Sequence, residues 1–330
     1  MSSARRRDHY PCFPQPRRRK GARLPSPASP AILSAMSETI LLEAGADDRA
    51  EILPFGAEML SWRARGVELV WAKDQKVWDR TAPVLFPVVG WTRDGRARVD
   101  GRDYPLSLHG FAWTKRFDIA ERREDFLRLA LVDDAETRAH YPFAFHFEAE
   151  FKLSPGALDN ALIVTNTGER PLPYACGLHP AFRWPLAGSP AEHAIVFEKE
   201  ESGEVPVIAP GGLFSRRPRP VPLDGRRMPL RPELFAREAL CFMNARSRSL
   251  VYDNGAGARL AVELDGFPHI AFWTLPPAPY LCVEPWTGHG DPEDFFGDLC
   301  EKPSMRILAP GESARHGARF ALELDAVMRA

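Results

Sequence analysis

The stretch Phe143-Ala-Phe-His-Phe-Glu-Ala-Glu-Phe-Lys-Leu153 puts Phe143, Phe145, Phe147, Ala149, Phe151 and Leu153 at every second position. His146, Glu148, Glu150 and Lys152 fall between them. Successive side chains of an extended chain point to opposite faces, so this alternation predicts a half-buried antiparallel strand with an aromatic inner face. Leu127-Arg-Leu-Ala-Leu131, Leu260-Ala-Val-Glu-Leu264 and Phe320-Ala-Leu-Glu-Leu324 repeat the pattern on a smaller scale. Asp100-Gly101 separates two patterned runs, Arg96–Val99 and Arg102–Leu106, and predicts a two-residue hairpin turn. Asn254-Gly255 joins two further runs, where the neighbouring glycine predicts a longer loop.

Helical periodicity is nearly absent. One short helix is expected after Gly290, with Asp291 as N-cap, Pro292 in the first position, and Glu293 and Asp294 near the positive end of the dipole. Residues 200–235, rich in Pro, Gly and Arg, are expected to form a long surface excursion. Many short strands broken by Pro- and Gly-rich turns predict an all-β chain built as a large antiparallel β-sandwich.

At 45% hydrophobic residues, the 330-residue chain has enough apolar side chains for a substantial core. No apolar run is long enough to cross a bilayer, and none near the start serves as a secretory core segment. The five cysteines are scattered, odd in number and without a C-x-x-C pair, which argues against a disulfide framework or structural zinc. A reducing cytoplasm is therefore the expected location.

The net charge of −1 conceals an asymmetry. Residues 1–35 carry eight Lys/Arg and one Asp, leaving 35 basic against 43 acidic residues in the remainder. That acidic body has no attraction to nucleic acid or anionic membranes. The basic head, with its prolines, cannot bury enough apolar surface to fold. It is expected to be a disordered tail or an over-extended start, the domain then covering 36–330. A transit peptide is the competing reading, disfavoured because the prolines break the amphipathic helix such signals use.

Tyr280-Leu-Cys-Val-Glu-Pro-Trp-Thr-Gly-His289 sets one carboxylate, Glu284, at the end of an apolar run before a Pro-Trp corner. Burying an acid there costs several kcal/mol unless it is paired or functional. Glu284 is thus either a general base or the partner of an arginine holding a corner. Gly177-Leu-His-Pro-Ala-Phe182 holds His179 extended, because the following proline excludes the helical conformation. Phe182 and Trp184 beside it offer faces suited to stacking on a sugar ring, or to ordinary core packing. Ser107-Leu-His-Gly-Phe111 presents His109 next to a glycine that permits close approach. His109, His179, Glu284 and His289 are adequate zinc ligands, yet no H-x-x-H or H-E-x-x-H spacing joins them, and no metal is expected. No G-x-S-x-G elbow, phosphate-cradling loop or dinucleotide loop is present.

Read in order, Leu85-Phe-Pro-Val-Val-Gly90, Asp94-Gly95, Leu108-His-Gly-Phe111, Gly177-Leu-His-Pro-Ala-Phe182 and Leu281-Cys-Val-Glu-Pro-Trp286 resemble the aldose 1-epimerase (galactose mutarotase) family. They are most similar to its bacterial LacX-like branch, over about Ile40 to Leu324. The resemblance implies a large β-sandwich and a cofactor-independent isomerase acting on a small-molecule sugar. It implies Glu284 as general base, His179 as general acid and His109 as a sugar-binding histidine. Relatives usually carry arginine after the F-P-x-x-G segment and after H-G-F-A; this chain has Trp91 and Trp113. Arg93, two residues beyond Trp91, is expected to replace the lost donor, and Trp91, Phe182 and Trp286 to line the sugar site. Two rivals stand beside this reading. One is a silent sugar-binding protein. The other is a mutarotase for phosphorylated hexoses, using a basic cluster of Arg93, Arg96, Arg98 and Lys115.

Overall fold

In the computed structural model the aromatic strand runs Phe145–Ser154, buried at every second residue along most of its length. The structure describes residues 38–325, so the expectation for 1–35 lies outside the described residues. A tight turn at Pro155-Gly156 returns the chain as Ala157–Asn166, and Phe126–Val132 pairs along the other edge. These strands belong to a nine-stranded antiparallel sheet. Its spatial order is Arg227–Pro229, Ala194–Phe197, Ser249–Asp253, Ala258–Asp265, Ser313–Leu324, Ala157–Asn166, Phe145–Ser154, Phe126–Val132 and Asp118–Arg122.

A second, shorter sheet is ordered Leu240–Phe242, His269–Trp273, Tyr280–Trp286, Gly177–Leu178 and Val84–Leu85, with Ala181–Arg183 also paired to Tyr280–Trp286. Aromatic rings join the two sheets. Phe86 stacks on Phe147 with centroids 4.3 Å apart, Phe182 lies 5.4 Å from Phe320, and Phe197 meets Phe272 edge-on at 6.0 Å. Each such ring contributes roughly 1.5–3 kcal/mol by leaving water. The architecture is the expected β-sandwich, and among the described residues the only α-helix is the single turn Ala135–Arg138. No helix among them is long and apolar enough to cross a membrane.

The Asp100-Gly101 turn forms as expected, with φ of 51° and 74° and Val99 paired to Arg102. Asn254 to Gly257 form the longer loop, where the Asn254 carboxamide accepts from the Ala256 and Ala258 amides.

The expected excursion over 200–235 contains a bulged hairpin, Glu204–Ala209 paired with Leu213–Pro220, separate from the two large sheets. Prolines are tolerated there because each strand of a two-stranded ribbon is an edge. One expectation fails: no helix directly follows Gly290, and the short helical turn comes later, at Leu299–Glu301, capped by Asp298.

Asp291 is drawn away from capping by a buried network. One of its oxygens accepts the Arg93 amide at 2.8 Å, and the other lies 2.9 Å from Lys302 Nζ. The Lys302 side chain is fully buried. Through Asp291 the segment after the Tyr280–Trp286 strand is tied to the 91–95 turn by the Arg93 amide and to residue 302 by the ion pair. Lys302→Met leaves the Asp291 carboxylate buried and uncompensated. The expected cost is about 3–5 kcal/mol, read from urea unfolding. Asp291→Asn combined with Lys302→Met should recover part of it. A single-variant cost below about 1 kcal/mol would mean the pair does not hold this segment.

Candidate active site

Strand register brings the acid and the imidazole together. Gly177 pairs with Trp286, and Ala181 pairs with Cys282. Counting inward from both ends places His179 directly opposite Glu284. Directly opposed residues in an antiparallel pair point to the same face. Each flanking rung contains a proline, Pro285 opposite Leu178 and Pro180 opposite Val283. Pro180 still accepts the Val283 amide at 3.1 Å, but neither proline can donate. Contrary to the expected corner, the strand continues through Pro285 to Trp286. Glu284 therefore sits inside the sheet.

The two faces of Tyr280–Trp286 divide cleanly. Leu281 and Val283 enter the main core. Tyr280, Cys282, Glu284 and Trp286 share the other face by alternation, as do Ala271 and Trp273, the register partners of Glu284 and Cys282. On that face His179 Nε2 lies 3.0 Å from Glu284 Oε2, with His179 only 7% exposed and Glu284 1%. The contact has ion-pair distance without hydrogen-bond alignment, and among the described residues His179 Nδ1, Glu284 Oε2 and Trp286 Nε1 find no aligned hydrogen-bond partner. Such orphaned polar atoms, gathered on one buried face, are what a hydroxyl-rich ligand satisfies.

His109 joins the pair from a turn whose backbone is left-handed, with φ of 60° at His109 and 76° at Gly110. Only glycine fits at 110, since a Cβ would fall 2.2 Å from the Phe86 carbonyl oxygen. The Gly90 amide donates to His109 Nδ1 at 3.1 Å, which leaves the imidazole proton on Nε2. Its ring stands edge-on to His179 at 5.5 Å and lies 6.3 Å from Trp286. On the other side of His179 are three rings that sequence reasoning did not single out for this site. Trp78 is 5.2 Å from His179 and stacks on Tyr280 at 5.4 Å, while Trp273 is 5.8 Å from His179. Only the cross-strand pairing of Trp273 with Cys282 would have pointed to Trp273. Trp78 carried no local signal.

The remaining expected site residues are placed differently. Phe182 is core: it pairs with Leu281 on the opposite face and packs against Trp62 and Phe320. Alternation puts it on the wrong side of the sheet from His179. The Arg93 guanidinium is held by the carbonyls of Pro292, Glu293 and Phe295 and covers the Phe296 ring, so it departs from the expected sugar donor. Trp91 lies against Gly212 of the 204–220 hairpin, so close that a Cβ there would overlap its indole. Trp113 donates to the Gly110 carbonyl and is covered by Arg80, backing the His109 turn. The four residues weighed as metal ligands do not converge. The donor atoms that do lie within 4.8 Å of one another are those of His179, Cys282 and Glu284.

Burial dominates the electrostatics. It pushes Glu284 well above the ordinary carboxylate range, against a smaller opposing effect of the nearby Trp286 N–H. It pushes His179 well below the usual imidazole value, with His109 adding to the effect, and brings His109 down to about 3. A carboxylate beside an imidazole favours the charged pair, but desolvation here opposes it and favours the neutral pair. A carboxyl whose folded-state pKa is raised contributes stability that is lost as pH rises above its unfolded value of about 4.5. Glu284→Gln is therefore expected to melt higher than the native protein near pH 8, with the gap closing toward about pH 4.5. A variant melting below the native protein at the higher pH would contradict a protonated, buried Glu284.

The aldose 1-epimerase family profile matches residues 38–321. The chromosomal LacX protein of Lactococcus lactis subsp. lactis is 28% identical over 262 residues, covering 76% of this chain and 88% of LacX. A galactose mutarotase-like protein from Lactobacillus casei superposes with a TM-score of 0.80 at 26% identity, over 87% of this chain and 100% of its own. A galactose mutarotase related enzyme from Lactobacillus acidophilus does so at 0.79 and 25%, with the same coverage. With the sandwich, the facing acid and imidazole, and a match along nearly the whole described chain, this protein belongs to the aldose 1-epimerase family, enzymes that isomerise carbohydrates.

Proposed function

We propose that the protein interconverts the α and β anomers of a neutral, free aldose, with Glu284 and His179 as its acid–base pair. The observation that carries this is the 3.0 Å approach of the two groups on one buried, aromatic-walled face. One group takes the proton from the anomeric hydroxyl while the other gives one to the ring oxygen. The ring opens to the aldehyde, the carbonyl turns its other face, and reclosure reverses the transfers. Atoms and charge balance without a cofactor.

The proton inventory suits this exchange. Glu284 protonated with His179 neutral, and Glu284 ionised with His179 protonated, carry the same single proton, and one transfer interconverts them. Burial favours the first form; sugar hydroxyls bonding to both groups favour the second. Glu284 as base and His179 as acid remain the assigned roles for ring opening.

The basic cluster needed for a phosphorylated hexose is already engaged. Arg96 and Arg98 pair with Asp103, Lys115 pairs with Glu136, and Arg93 is held by backbone carbonyls. This favours an uncharged sugar. A binding protein without activity would need neither the acid nor the base.

Polarimetry of fresh α-glucose and α-galactose tests the reading. Glu284→Gln and His179→Ala should each lower the accelerated rate by roughly 10²–10⁴. Glucose should relax faster than glucose 6-phosphate. Arg93→Ala should leave the sugar KM within about twofold, because its guanidinium is occupied elsewhere. An unshifted pair would lose its acid above about pH 6.5 and fall about tenfold per unit. The raised acid and lowered imidazole instead displace that fall in kcat/KM to higher pH. No acceleration of any free aldose by folded protein would overturn the assignment.

A further inference from the structure

A second imidazole pair lies one step along the same sheet. His269 is the register partner of Trp286, so it faces the same side as Trp286 and Glu284. Its row is displaced from the Glu284 row by two residues, about 7 Å along the strand, which is close to the width of one pyranose ring. His289, just beyond the strand end, meets His269 edge-on with centroids 5.5 Å apart, and stacks on Phe214 of the 204–220 hairpin at 5.0 Å. The pair also adjoins the catalytic histidine turn. Gly290 packs so tightly on Gly90 that a Cβ on Gly90 would fall 2.6 Å from its amide, and Gly90 donates to His109.

The tautomers of both rings are set by the backbone. The Asn244 amide donates to His269 Nδ1 at 3.0 Å, so the proton of the neutral His269 ring sits on Nε2. His289 Nδ1 lies 2.8 Å from the Gly290 carbonyl, which can only accept, so His289 carries its proton on Nδ1 and a lone pair on Nε2. Neither Nε2 has a hydrogen-bond partner among the described residues. Burial holds His269 at about 3 and His289 at about 4, so both rings are neutral at physiological pH. A donor and an acceptor side by side, both uncharged, match one alcohol group, which both donates and accepts.

We propose that His269 and His289 form a hydroxyl-binding subsite that reads the sugar carbons opposite the reacting centre, C3 and C4, and so selects among aldoses by configuration there. This inference rests on the mutarotase reading above. With C1 and the ring oxygen at Glu284 and His179, a ring running along the face toward the Trp286–His269 row passes His109, whose ring lies 6.3 Å from Trp286. C4 and C3 stand across the ring from C1 and the ring oxygen. The subsite carries no charge and pairs a donor with an acceptor, so it suits a neutral polyol better than a phosphate or a carboxylate, which only accept.

The test uses the free aldose that the wild-type protein relaxes fastest, together with its 2-deoxy, 3-deoxy, 4-deoxy and 6-deoxy analogues. His289→Leu and His269→Leu should lower kcat/KM on the parent sugar about five- to tenfold, the value of one or two neutral hydrogen bonds, with the loss in KM. The loss should disappear on the 3-deoxy or the 4-deoxy analogue and persist on the 2-deoxy and 6-deoxy ones. His289→Gln, which retains a hydrogen-bonding group, should recover part of it. Equal loss on all analogues, or loss confined to the 2-deoxy or 6-deoxy sugar, would overturn the subsite while leaving the mutarotase reading intact. So would unchanged kinetics in folded variants. Failure of the wild-type protein to relax any aldose would overturn both.

Discussion

The pairing of Gly177–Arg183 with Tyr280–Trp286 is the constraint on which the site depends. Side chains alternate along both strands, so a slip of one residue would send Glu284 into the sandwich core and turn His179 away from it. In the observed register Gly177 meets Trp286, Ala181 meets Cys282, and Glu284 and His179 are left facing each other. Two prolines occupy the neighbouring rungs. They thin the backbone ladder beside this pair, while the strands outside hold the alignment. The large sheet supports this one from behind, through Phe86 on Phe147 and Phe182 against Phe320.

Desolvation then decides what the pair can do. An acid and an imidazole this deeply enclosed are driven toward their neutral forms, in which they hold one titratable proton between them. The proposed ring opening and closure of an aldose asks for one proton donor and one acceptor whose roles reverse. A pair sharing a single proton meets that demand without any net charge change. His109 is fixed beside it by the Gly90 amide and by a glycine packed on a carbonyl oxygen. The same backbone logic fixes the tautomers of His269 and His289 farther along the face.

Much of this was legible in the chain. The aromatic alternation of 143–153 announced a long inner strand of the large sheet, and Asp100-Gly101 announced its hairpin. Glu284, His179 and His109 stood out because each breaks a local rule: an acid in an apolar run, and histidines next to proline or glycine. Other features read wrongly because their partners are distant in sequence. Asp291 resembles a helix cap until Lys302 and the Arg93 amide claim it. Arg93 resembles a sugar donor until the carbonyls at 292–295 occupy it. Phe182 sits three residues from His179 yet on the other face, where alternation takes it into the core.

By itself the sequence determined the sandwich class and marked Glu284, His179 and His109 as candidates, since periodicity is local and these residues are costly or unusual where they stand. Tertiary structure alone decided which groups meet. The register that opposes residues 179 and 284, the rings of Trp78 and Trp273 around them, and the pairing of His269 with His289 all join segments far apart along the chain. Their separation and relative height are properties of sheet pairing and packing, which no local pattern encodes.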